Sequence, residues 1–110
     1  MPVPHCIKPE HGWKITDALQ KFVDKAVAVI EKPSFGSLAL PQAVSKIEAD
    51  EIELVGLCTD ICVISNAMIL KAAFPEVILA VDASCCAGVT PESHATALAA
   101  MKMCQIEIRN

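Results

Sequence analysis

The stretch Glu53-Leu54-Val55-Gly56-Leu57-Cys58-Thr59-Asp60-Ile61-Cys62-Val63 constrains the fold more than any other part of the chain. Its first half is an apolar run of strand length, Gly56 hinges a corner, and the second half opens a helix. A strand that passes into a helix in this way belongs to a sheet layered with helices. The corner also sets Cys62 on the first helical turn. A helix start carries unpaired backbone N–H groups and roughly half a positive charge, which favour thiolate over thiol and can donate to an oxyanion. Spacing alone leaves two readings of Cys62 open: a nucleophile, or one more small buried core residue, as free cysteines often are.

The segments around this corner repeat the same alternation. Residues 1–12 carry Pro, His and Gly without periodicity and read as a loop. Ile15, Ala18, Leu19, Phe22 and Val23 have helical spacing and predict a short helix over residues 15–23. Residues 26–30 (Ala-Val-Ala-Val-Ile) predict a strand, and Pro33 places Lys32 at its carboxyl end. Pro41 opens a further helical stretch with Ala43, Val44 and Ile47 on its apolar positions.

Residues 52–57 are then a buried strand and residues 60–74 a helix ended by Pro75; apolar residues surround that helix, so more than one neighbour should cover it. Residues 77–81 predict a strand, 82–89 a loop of small residues, 90–103 a helix with Pro91 at its first position, and 105–108 a last strand. Strands and helices in strict alternation specify right-handed crossovers and a parallel sheet. Ligands of such sheets bind beyond the carboxyl ends of the strands. Lys32, the 57–62 corner and the 82–88 loop all follow such ends, so topology brings three candidate site elements to one edge.

Composition agrees. In 110 residues, 54% are hydrophobic, with three Phe, one Trp and no Tyr, so one aliphatic core is expected, as in parallel sheets covered on both faces. The net charge of −4, with no basic cluster, argues against nucleic acid as a partner. No apolar run reaches membrane-spanning length, and residues 1–5 lack the charged and apolar regions of a signal peptide. The expectation is a cytoplasmic protein whose six cysteines are reduced thiols.

Among the remaining candidates, a lysine at position 32 could stabilise a Cys62 thiolate by charge, although a single lysine is ordinarily a solvated surface group. Cys58, Cys62, Cys85 and Cys86 could form a redox or metal group, but their spacing is not that of zinc or thioredoxin-type motifs. Asp60 is expected to cap the helix after the corner, and Asp82 to bind loop backbone. His5 and His11 could ligate a metal, and His94 is assigned a surface position without a functional role.

Gly56-Leu57-Cys58-Thr59-Asp60-Ile61-Cys62-Val63 resembles the nucleophile motif of the isochorismatase-like cysteine hydrolases, in particular their nicotinamidase-like branch. Lys32-Pro33-Ser34-Phe35-Gly36-Ser37 resembles the loop of that family's catalytic lysine, and Pro4-His5-Cys6 the segment of a metal-binding histidine. Asp82-Ala83-Ser84 and Thr90-Pro91-Glu92-Ser93-His94 are similar to a later strand end and helix start. The resemblance implies a three-layer α/β fold, a parallel sheet with helices on both faces, whose N-terminal strands are absent, so that residues 1–110 form one incomplete domain.

It also implies an amidohydrolase of NAD salvage that converts a small amide such as nicotinamide to a carboxylate and ammonia through an acyl-thioester. Cys62 would be the nucleophile, Lys32 the charge that lowers its pKa, and the backbone N–H groups of Cys58 and Cys62 the oxyanion hole beside a cis peptide joining Leu57 to Cys58. His5 would be a ligand of one divalent ion, zinc, iron or manganese. The family's general-base Asp and its other metal ligands precede the part resembled here, and Pro9-Glu10 stand where the family often has Gly-Thr. The expectation is therefore a weak or inactive chain that self-associates as a homo-oligomer. The alternatives are a non-catalytic module of the same fold pairing through an exposed sheet edge, and a thiol redox or metal protein.

Overall fold

The computed structural model describes residues 6–8 and 10–110. Three parallel strands, β1 (Glu51–Leu57), β2 (Ile78–Ala87) and β3 (Glu107–Arg109), form a sheet in the order β1-β2-β3. Four α-helices accompany them: α1 (Gln20–Val23), α2 (Leu40–Ser45), α3 (Ile64–Ala73) and α4 (Pro91–Met103). The architecture is the expected α/β one, a parallel sheet flanked by helices, with α3 and α4 as the crossovers between successive strands. No helix of the described residues is long and apolar enough to cross a membrane.

Strand alternation builds the core. Ile52 and Leu54 of β1, Leu79 and Val81 of β2, and Ile106 and Ile108 at β3 lie in register on one face and meet Val63, Ala67 and Leu70 of the α3 segment and Ala97 and Met101 of α4. Ala67, Val81 and Met101 are completely buried. The capping box of α4, in which Thr90 Oγ1 accepts from Ser93 N and Ser93 Oγ accepts from Thr90 N, fixes where that helix begins.

The opposite face of the sheet carries Glu51, Glu53, Ala80, Glu107 and Arg109. From β3, Arg109 crosses β2 to pair with Glu51 and Glu53 (2.9 Å) of β1, and it also holds Glu107 at 3.1 Å on its own strand. Glu107, Glu53 and Glu51 together push the guanidinium above its usual value. The crossing needs a small residue beneath it, which is Ala80, fully buried.

Four expectations change. Residues 26–30 form no strand, the chain bends at Val27, and Val27 and Val29 are exposed. Their alternation suits a strand, yet among the described residues no strand lies alongside to supply a ladder. Residues 82–87, expected as loop, continue β2, because after a register shift between Leu54 and Gly56 they pair with the end of β1: Gly56 with Cys86 and Leu57 with Ala87. The helix predicted over residues 15–23 is a 3-10 turn (Asp17–Leu19) followed by the single α-turn α1, with Leu19 and Phe22 half exposed. The helix predicted over residues 60–74 begins as a π-turn, Thr59–Val63.

Leu79 is 1% exposed at the centre of the core, whereas Leu38 is 87% exposed. Leu79→Ala is expected to lower unfolding free energy by about 2–5 kcal/mol and Leu38→Ala by less than about 0.5 kcal/mol, read as urea midpoints by circular dichroism.

Candidate active site

β1 ends at Leu57, and the chain turns through a cis Leu57–Cys58 peptide, as the resemblance implies, into the π-turn. Cys58 is extended there, and its carbonyl accepts hydrogen bonds from the N–H groups of Ile61 and Val63, both at 3.0 Å. In a regular α-helix that carbonyl would bond the N–H of residue 62. Here the neighbours on either side take it, and the Cys62 N–H does not bond to it. Widened turns of this kind recur at functional sites.

The structure brings Lys32 to this corner. Its ammonium donates to Cys62 Sγ at 3.4 Å and to the Ser34 carbonyl at 3.2 Å. The lysine loop is held by the helix that carries the cysteine. Ser37 N donates to Asn66 Oδ1 at 2.8 Å, and Ser34 Oγ closes the loop on the Gly36 carbonyl at 2.9 Å. Gly36 lies flush against α3: a Cβ there would sit 2.7 Å from Ile69 Cδ1 and 3.3 Å from Ser65 Cβ. The loop is thus seated although residues 26–30 before it are unpaired.

The cysteines differ in environment. Burial, with the charges of Asp60 and Cys62 nearby, pushes the Cys58 thiol up, and burial does the same to Cys86. All six cysteines are free. Among the described residues no group of three or more His, Cys, Asp or Glu side chains could hold a metal, so Cys58, Cys62, Cys85 and Cys86 do not assemble as one. The divalent ion that the resemblance implies finds no donor set among them; His5 lies outside the described residues.

Asp60, the second residue of the π-turn, does not cap it. Its carboxylate instead accepts from Val89 N, at 3.2 and 3.4 Å, and so ties the corner to the loop before α4. Asp82 does bind loop backbone, accepting from Ser84 N at 3.0 Å and Ser84 Oγ at 2.6 Å. His94 is half-buried rather than on the surface, with Nδ1 2.7 Å from Oγ1 of the fully buried Thr59. The signal that could have found it is positional: a right-handed crossover places the first turn of the helix after β2 beside the corner that ends β1.

The isochorismatase domain family matches residues 1–109. No curated protein matches the chain. Among solved structures, it is similar to the nicotinamidase/pyrazinamidase PncA from Bacillus subtilis, at 26% identity and a TM-score of 0.81 over 98% of this chain and 63% of that one. The pyrazinamidase/nicotinamidase from Streptococcus mutans UA159 is 25% identical, with a TM-score of 0.77 over 96% of this chain and 62% of that one. A pyrazinamidase of Pyrococcus horikoshii in complex with zinc shares the fold at 17% identity, with a TM-score of 0.72 over 96% of this chain and 60% of that one. The chain spans about three-fifths of the length of these proteins.

The Ser93 hydroxyl, then the backbone N–H groups of Asp60 and Val89, hold the Asp60 carboxyl below its ordinary value of 3.8. A carboxyl depressed in the folded state stabilises the fold above its unfolded pKa, and that contribution is lost as pH falls through the folded value. Asp60→Asn should therefore lower Tm at neutral pH, with the gap from the parent closing as pH falls through and below the ordinary carboxyl range, as read by thermal melts across the acid range.

Proposed function

Because the chain belongs to the isochorismatase family, we propose that it is the C-terminal part of a nicotinamidase-like cysteine hydrolase, acting in the cytoplasm on a small carboxamide such as nicotinamide. The observation that carries this reading is the contact of Lys32 Nζ with Cys62 Sγ at 3.4 Å, on the edge where the strands end. An ammonium against sulfur supports the thiolate, the form that attacks.

The thiolate adds to the amide carbonyl carbon, and the carbonyl oxygen takes up the displaced electron pair. The N–H groups of Cys58 and Cys62 receive that oxyanion; the loss of the Cys58 carbonyl as an acceptor for Cys62 N–H supports the assignment. Collapse expels the nitrogen as ammonia, which takes from water the proton that the thiol gave up, and leaves an acyl-thioester on Cys62. Water then adds to the thioester, releasing the carboxylate and restoring the thiol.

Both steps move protons. Among the described residues the charged partner of Cys62 is Lys32, and no carboxylate pairs with either. Turnover by this chain is accordingly about a hundred- to ten-thousand-fold below that of a site with a general base. A second reading, a non-catalytic module of the same fold, is favoured by Val55 and Leu57, exposed by 56% and 69% on the edge strand β1, where pairing between copies would bury them.

The test is ammonia release from nicotinamide by the purified chain, together with its sedimentation behaviour. The hydrolase reading expects slow release that Cys62→Ala abolishes and Lys32→Ala cuts about tenfold or more. Release insensitive to Cys62→Ala overturns it. Absence of release together with concentration-dependent self-association supports the second reading.

A further inference from the structure

We propose that His94 is a positioning residue for Cys62: through its 2.7 Å hydrogen bond to the buried Thr59 hydroxyl, it fixes the π-turn that carries the sulfur beside Lys32. The inference rests on the reading of Cys62 as the nucleophile and adds a residue to which that reading gives no part.

Thr59 is the first residue of the π-turn and has no exposed surface. A buried hydroxyl must find a partner, and the partner here is His94 Nδ1. The Cys58 carbonyl binds both Ile61 and Val63 N–H, so the turn from Thr59 to Val63 moves as a unit, and a shift at Thr59 becomes a shift at Cys62.

His94 is itself firmly placed. It lies in the first turn of α4, where Thr90 and Ser93 cap each other, and the His94 N–H bonds the Thr90 carbonyl at 3.0 Å. Gly88 packs directly against it, since a Cβ there would lie 2.9 Å from His94 Cβ and 3.0 Å from its backbone. Asp60 gives the corner a second tie to the same region through Val89 N. The imidazole therefore works as a fixed post, against which the nucleophile turn is set by one short bond.

The test is the native-state alkylation rate of each cysteine by iodoacetamide, read by peptide mass spectrometry on the full chain. Exposed Cys104, after α4, serves as the internal reference. His94→Ala is expected to lower the Cys62/Cys104 rate ratio about three- to tenfold near neutral pH, towards the ratio of Lys32→Ala, as the sulfur leaves the ammonium. His94→Asn, whose amide sits where the imidazole Nδ1 does, should restore the ratio to within about twofold, which general destabilisation would not do. Thr59→Val, close in shape but without the hydroxyl, should match His94→Ala, and the double variant should add nothing further.

An unchanged ratio in His94→Ala and Thr59→Val, with Lys32→Ala still lowering it, overturns the positioning role and leaves the nucleophile reading standing. Failure of His94→Asn to restore the ratio likewise overturns it. A ratio insensitive to Lys32→Ala removes the nucleophile reading and this inference with it.

Discussion

The hydrogen bond from Ser37 N to Asn66 Oδ1, 2.8 Å long, is the interaction on which the candidate site depends. Asn66 lies one helical turn beyond Cys62, so the helix that carries the sulfur also holds the loop that carries the ammonium. The contact of Gly36 with Ser65 and Ile69 extends this seat along the same helix. Because both halves of the site reference one rigid element, their separation does not depend on the irregular residues before Lys32. Sites built on a rigid element are more exact than sites built on loops.

The helix can serve this way because it is covered. Ala67 and Leu70 meet the sheet at Leu79 and Val81, while Leu40 and Val44 of α2 and Ala97 and Met101 of α4 close over its sides. The apolar girth that predicted more than one neighbour is thus covered from several sides, with Ala72 and Ala73 at its end left exposed. On the other face of the sheet, one arginine joins three carboxylates across three strands, above an alanine small enough to let it pass. Such exposed pairs contribute little to stability individually. Here they hold together the register of β1 and β3, which do not touch each other.

What was legible from sequence was local and aliphatic. Residues 77–81 are a continuous apolar run, residues 52–57 are apolar apart from Glu53 and Gly56, and Thr90-Pro91 marks a helix start, so these elements stand where they were expected, although β1 is half-buried rather than buried. Residues 26–30 have the same pattern but are unpaired, because alternation describes which side chains want cover and not whether a neighbouring strand is available. Residues 82–87 look like loop because Asp82, Ala83 and Ser84 have low strand preference; pairing with Gly56 and Leu57 overrides it. The Cys62–Lys32 contact was legible because Cys62 follows a strand end and Lys32 follows an apolar run that reads as one, although that run pairs with no strand. His94 itself carries no sign of the buried threonine opposite it, and only the crossover that sets the first turn of α4 beside the corner points to it.

The π-turn links these levels. A regular helix starting at Thr59 would give the Cys58 carbonyl to the Cys62 N–H and spend the donor that an oxyanion needs. Shifting that carbonyl to Ile61 and Val63 takes it from the Cys62 N–H but leaves a wider and intrinsically weaker turn. A weaker turn keeps its shape only if its residues are held from outside. Thr59 and Asp60 at its head both reach the α4 end of the molecule, one to an imidazole and one to a backbone N–H. Lys32, beside its cysteine, reaches back from the loop that α3 seats. The strain-prone geometry that would serve chemistry and the two anchors that maintain it are therefore one arrangement, and loosening either anchor should act first on the sulfur between them.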